Sequence, residues 1–554
     1  MNTTSPSHRI CISASAVAAV LFFIGTVSCS QRNEQSLRTK ETTQKSGGNA
    51  KSDGPGITKN PFPHEKGDAV AGREVYRFET FGNEGFWTDA MRLPQGVLEA
   101  KFTPIQALKA GLQVDIDAIP PAMRDAMAAE LKTDLSPEQA PKLNDVKTTV
   151  ALINANAVVG IVPKDTNGDG KLDVMAGDKV GVACTLCHTI TDKSVYSIPK
   201  GGSIGRRVDG PANLNLDMGA LLALAANSKA YYPNLQVTLG DKTIGRAPKG
   251  LTPDSTEAEV DAYLKNREYY PVGTFDETSD GNGNPVKNQP LFRTDLAAPW
   301  ATAGEHRRLD DISNASYTMN LDQTTLVTPE GKQFMATIGG AAGEQRTEDY
   351  EAILKETGVT NYPFVNATKT GKVGKPDSLV GLRVDNKKLL DMNAYLDSVP
   401  APRGAKVNAE VAARGKDLFR ADCTTCHNVD QNKMVPPFLV DLKKLWPGYN
   451  PTVLAERAAP LSPIQNSPGM FDDKMIVIDA SHYGSKRGNA LPLLLDLDRT
   501  TLFLHDASVH SLDELLDSKR GESAPHPFYV RKASDRAEMV AFLRSLETKQ
   551  EGKQ

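Results

Sequence analysis

Met539, Val540, Leu543 and Leu546 recur at helical spacing behind Ser534 and Asp535, which supply a start signal, so the chain closes on an amphipathic helix. A similar stripe of Leu389, Met392, Leu396 and Val399 ends at Pro400-Ala401-Pro402. Each closing stripe has a short helical counterpart upstream. Ala71 to Phe78 belongs with the earlier stripe, and Ala412 to Phe419 with the later one. Between Val272 and Gly374 turns dominate and no period selects helix or strand. The N-terminus is different again. His8 and Arg9 precede an apolar run from Ile10 to Val27 that ends in Ser28-Cys29-Ser30, and Ser30 to about Asn60 is polar without period.

These patterns predict an export signal at 1–29, a disordered linker at 30–60, and folded domains at 61–400 and 405–548. Pro402-Arg403-Gly404 would be the hinge, and the segment from Thr103 to Lys147 an insertion in the first domain. With 554 residues the chain exceeds one domain of about 150. A formal net charge of −4 points to no nucleic-acid partner. Aromatic residues are only 6 % of the chain, while 44 Gly and 35 Pro imply much loop and short helix. The apolar run is long enough to serve instead as an uncleaved anchor. Cys29 stands where a lipoprotein carries its acceptor cysteine, although Thr26 occupies the usual Leu position. Either way the fold is expected in the periplasm or cell envelope, with a lipid anchor at Cys29 as one form.

The chemistry concentrates in two short stretches. Of six cysteines, four lie in Cys184-Thr185-Leu186-Cys187-His188 and Cys423-Thr424-Thr425-Cys426-His427. Two thiols three residues apart with a histidine directly after suit covalent attachment of a c-type haem, the imidazole becoming an iron ligand. A thioredoxin-like pair would not need the histidine, and no βαβ pattern surrounds either copy. A four-cysteine zinc site normally joins pairs much closer in sequence. Two covalently attached c-type haems are therefore expected, and a haem supplies apolar core that a loop-rich chain lacks.

The order of opening helix, attachment motif, variable middle and closing helix resembles class I cytochrome c domains. The resemblance implies a mainly α fold of two such domains with long loop-rich insertions. It also implies that a sixth iron ligand lies shortly before the closing helix. Met434, Met470, Met475, His482, His505, His510 and His526 are candidates for the second haem. His526, in Ala524-Pro525-His526-Pro527-Phe528-Tyr529, has that position, and flanking prolines would hold its loop stiffly. Phe503-Leu504-His505-Asp506-Ala507-Ser508-Val509, with Leu512 to Leu516 after it, is similar to a motif of bacterial di-haem peroxidases, methylamine-utilisation di-haem enzymes and rubber oxygenases. Ala507 replaces the usual Gly, and the resemblance implies a haem-pocket role for His505 rather than ligation. For the first haem Met218, His306, Met319 and Met335 stay open, and an open or weakly ligated iron is the reading taken. Trp300, between the two motifs, is a core indole or an aromatic wall between the haems.

Asp165, Asn167, Asp169 and Asp173 fall at positions 1, 3, 5 and 9 of a loop with Gly170 at position 6, the first three-quarters of a calcium loop of the EF-hand type. Position 12 is Ala176, with Asp178 as a substitute ligand; a plain Asx turn is the alternative. The expected function is electron transfer through two haems with a redox partner protein or a membrane electron-transfer chain. Reduction of hydrogen peroxide is the alternative, and a rubber-oxygenase-like reaction with oxygen ranks below it. Catalytic residues are not assignable, and whether the chain is an enzyme stays open.

Overall fold

The helix Ala69–Phe78 begins at Asp68, whose carboxylate accepts the N–H groups of Val70 at 2.8 Å and Ala71 at 3.3 Å. It crosses the helix Asn386–Ser398 at Gly72. A β-carbon at Gly72 would lie 1.8 Å from the carbonyl oxygen of Asp391, so only hydrogen fits the crossing. The stripe Leu389, Met392 and Leu396 faces inward and is fully buried. A second pair is built the same way. The helix Ala409–Asp422, capped by Asn408, crosses the helix Ala533–Arg544 at Gly415, where a β-carbon would stand 2.0 Å from the Glu538 carbonyl oxygen. Four residues beyond each glycine is a buried aromatic, Tyr76 in one pair and Phe419 in the other. That spacing is one helical turn, so glycine and ring share a face.

The structure is a computed structural model that describes residues 66–238, 245–276, 281, 283, 285–294, 300, 306, 308–375, 377–423, 427, 494–521, 524, 526 and 528–547. All belong to one compact unit, Gly54–Gln554. The expected export signal, the linker, Cys29 and the candidates Met434, Met470, Met475 and His482 lie outside the described residues. Among the described residues no helix is long and apolar enough to cross a membrane.

The Thr103–Lys147 segment contains the helices Pro104–Lys109 and Pro121–Glu130. Short strands then surround the first motif. Ile161–Lys164 pairs antiparallel with Lys179–Val182, and Thr189–Thr191 pairs antiparallel with Arg207–Asp209. Ser203–Gly205 lies between Val114–Asp115, parallel, and Tyr196–Ser197, antiparallel. Strands of two to four residues show no usable alternation, which is why the hydrophobic pattern did not announce them. The apolar core divides accordingly. A large cluster holds Tyr76, Trp87, Leu186, Leu389 and Met392, with Cys184 and Cys187 packed against it. A separate cluster holds Phe419, Leu504, Leu512, Met539 and Phe542, with Cys423 at its edge.

One ion cluster sits inside. The Arg383 guanidinium, 1 % exposed, bonds Asp310 at 2.7 Å and Asp311 at 3.1 Å. Burial, reinforced by the neighbouring Asp310, pushes the Asp311 carboxyl up to about 7 despite the attraction of Arg383.

Candidate haem sites

In both motifs the histidine N–H returns to the carbonyl of the first cysteine. The His188 N–H donates to the Cys184 carbonyl at 3.2 Å, and the His427 N–H donates to the Cys423 carbonyl at 2.9 Å. The first cysteine and the histidine of each motif therefore stand on one face of the turn. Cys426 lies outside the described residues. Each opening helix then reaches its motif through the aromatic placed by the glycine crossing. The Tyr76 hydroxyl donates to the His188 carbonyl at 2.5 Å, and the Phe419 ring stands 6.2 Å from the His427 ring. The strand Lys179–Val182 delivers the chain to Cys184, its Val182 anchored on both sides by the Asn83 amide at 2.9 Å.

His188 Nδ1 lies 2.7 Å from the carbonyl oxygen of Gln289. A carbonyl accepts only, so Nδ1 carries the proton and Nε2 keeps the free lone pair. Burial lowers the affinity of this ring for a second proton, partly offset by the Gln289 carbonyl. Cys184 Sγ is 3.3 Å from the Tyr317 hydroxyl, which also reaches the Glu79 carbonyl at 3.1 Å. Burial pushes the Cys184 thiol up, with the Tyr317 hydroxyl acting against it. Gln289 and Tyr317 were not foreseen. A backbone carbonyl has no sequence signature, and Tyr317 comes from a different segment.

The second motif has a partner across from it. The rings of His427 and His526 stand with centroids 6.3 Å apart, and the Phe528 ring packs at 5.3 Å edge-on against His526. Burial drops His427 to about 4, and burial together with His427 and Arg520 drops His526 to about 3. Both imidazoles are thus neutral, the form that binds metal. His526 Nδ1 is buried without a hydrogen-bond partner. The backbone of His526 is left-handed, with φ of 54°, and its carbonyl accepts from Arg520 Nη1 at 3.4 Å. Its flanking residues Pro525 and Pro527 lie outside the described residues.

His505 is buried, but the structure places it beside a junction. Its carbonyl accepts the Lys287 N–H at 2.5 Å, and the neighbouring Asp506 pairs with Arg246 at 3.2 Å. Burial alone would raise the Asp506 carboxyl; His505 and Arg246 outweigh it and hold it below the usual range. Residues 287–289 therefore link the His505 segment to the first motif, bonded to the backbone of His505 at one end and to the ring of His188 at the other. Ala507, where the resembled motif has Gly, has φ of 58°. Trp300 is half-buried, packs against the large core cluster and forms an isolated bridge with His306. His510 is exposed, and its N–H is taken by the Glu514 carboxylate.

Among the remaining candidates, Met218 lines an apolar cavity with Leu186, and the Met335 sulfur accepts from Arg346 at 3.0 Å. Met319 packs in a small cluster with Phe334 and Met335. The predicted calcium loop is the tip of the hairpin Ile161–Lys164 and Lys179–Val182, so strands flank it where an EF-hand has helices. Asp165 accepts the N–H groups of Gly168 and Gly170, Asn167 that of Asp169, Asp169 that of Lys171 and Asp173 that of Met175. Among the described residues no three His, Cys, Asp or Glu side chains are grouped to hold a metal ion.

No family model matches the chain, and no curated protein matches it. Among solved structures, hydrazine synthase of Kuenenia stuttgartiensis, pressurised with 20 bar xenon, is similar at a TM-score of 0.23. The identity is 12 %, covering 58 % of this chain and 88 % of that one.

Proposed function

We propose that this chain is an exported electron-transfer protein carrying two covalently attached c-type haems. One would be held by Cys184, Cys187 and His188, the other by Cys423, Cys426 and His427, with His526 as the second iron ligand of the latter. The observation that carries the reading is the facing of His427 and His526 at 6.3 Å. That separation leaves room for one metal ion between the two rings. The donor set therefore fits an iron between two neutral histidines.

A bound haem supplies a one-electron iron couple. The residues of the chain do the rest. The thiols tether, the Gln289 carbonyl orients the His188 ring, and Phe419 and Phe528 pack against the imidazole pair. Residues 287–289 tie the His188 ring to the His505 segment. A redox protein or membrane chain would exchange electrons with the pair.

A second reading, reduction of hydrogen peroxide at the first site, is favoured by the engagement of the Met335 sulfur with Arg346. The test is low-temperature EPR of the oxidised holoprotein before and after adding peroxide, beside a haem count. Two haems with low-spin signals indifferent to peroxide support the carrier. A high-spin component consumed by peroxide would turn the first site into an enzyme centre. Fewer than two haems per chain would overturn the proposal.

A further inference from the structure

The helix Ala69–Phe78 and the end of the strand Arg207–Asp209 grip the first motif with consecutive residues. The His188 carbonyl accepts the Tyr76 hydroxyl at 2.5 Å and the Gly210 N–H at 2.9 Å. The residues next to those two, Arg77 and Asp209, then meet each other, with Arg77 Nε 2.7 Å from Asp209 Oδ2. Thr189, which follows His188 and stands opposite Asp209 in the strand pair, donates its hydroxyl to Asp209 Oδ1 at 3.0 Å. The Tyr395 hydroxyl, from the helix Asn386–Ser398, donates to Oδ2 at 2.5 Å. Asp209 thus collects donors from three elements, beside the residue that follows His188.

The two partners are not equally wet. The Asp209 side chain is 3 % exposed and that of Arg77 24 %. On the same strand Arg207, 2 % exposed, pairs with Asp115 at 2.6 Å, so these four charges cancel two by two. Reducing an iron by one electron lowers the charge there by one, and buried fixed charges nearby shift that equilibrium. A unit charge on the order of 10 Å away, at an effective dielectric of about 20, changes a one-electron equilibrium about tenfold. An ion pair that only fastens strand to helix acts through both members alike. One that acts through charge has members of opposite effect.

We infer that the Arg77–Asp209 pair sets the reduction potential at the first motif, Asp209 favouring the oxidised iron and Arg77 the reduced one. It rests on the haem reading of that motif. The test is a redox titration of the full-chain holoprotein with dithionite as electron donor, followed by the visible spectrum, beside a haem count. The second haem, recognised by its shift in His526→Ala, is the internal control. Asp209→Asn should raise the first potential by about 59 mV, a tenfold higher ferrous-to-ferric ratio at any fixed potential. Arg77→Gln should lower it, by less because water screens the partly exposed guanidinium. Arg77→Lys should restore the parent value. If Asp209→Asn does not fold, Arg77→Gln against Arg77→Lys decides. Shifts of one sign in Asp209→Asn and Arg77→Gln, or no shift with both haems bound, would overturn the inference alone. A chain without haem at the first motif would overturn the proposed function and this inference with it.

Discussion

Removing the His526 imidazole tests the second site most directly. In the proposed arrangement the two rings 6.3 Å apart share one iron, so His526→Ala leaves it with a single protein ligand. The visible and EPR spectra of the second haem should pass from low to high spin. Its potential should move by on the order of 100 mV, a fraction of the range that axial ligands span. Free imidazole should restore the low-spin spectrum. The backbone gives an independent control, because His526 has φ of 54°, where an L-residue costs roughly 1–2 kcal/mol. His526→Gly loses the same nitrogen and is freed from that strain. It should match the Ala variant in spectrum and exceed it in urea stability by about 1 kcal/mol. His526→Met should stay low-spin at a higher potential. A low-spin spectrum and potential unchanged in His526→Ala would refute the assignment, whatever the stabilities.

The glycine crossings should be intolerant. Gly72→Ala drives a β-carbon to 1.8 Å from the Asp391 carbonyl oxygen, and calorimetry should find a loss of about 3 kcal/mol or more. Ala507→Gly should stabilise by about 0.5–1 kcal/mol in urea unfolding, since Ala507 has φ of 58°. Asp311 gives a pH signature. Its folded value of about 7 lies above the unfolded one, so its contribution to stability is present at low pH and lost as pH rises from about 4 to about 7. Asp311→Asn removes that loss and should be more stable than the parent at pH 8, by up to about 4 kcal/mol, with the advantage gone at pH 4. An offset independent of pH between the two unfolding curves would refute the burial account.

Much of the frame was legible in the chain itself. The stripe Leu389, Met392 and Leu396 is buried where its period put it, and the helix Ala533–Arg544 covers the second predicted stripe through Met539 and Leu543. Local chemistry explains this, because helical period, caps and the CxxCH spacing are all written within a few consecutive residues. Other features depend on segments distant in sequence. Gly72 and Gly415 look like ordinary helix interruptions until the partner backbones of Asp391 and Glu538 are seen against them. The Asp165–Asp173 loop has the spacing of a calcium loop, yet strands flank it, and that is decided by the pairing of Ile161–Lys164 with Lys179–Val182. His526 was chosen from several histidines by its place shortly before the closing helix. Only the fold brings its ring to His427, bends its backbone to positive φ and leaves its Nδ1 buried without a partner. The Gln289 carbonyl that orients His188 comes from 101 residues away, and any residue type would supply it. Side-chain chemistry and local period are properties of the sequence. Which backbone atom meets which ring is a property of tertiary packing, because every residue carries the same carbonyl and only the fold chooses among them.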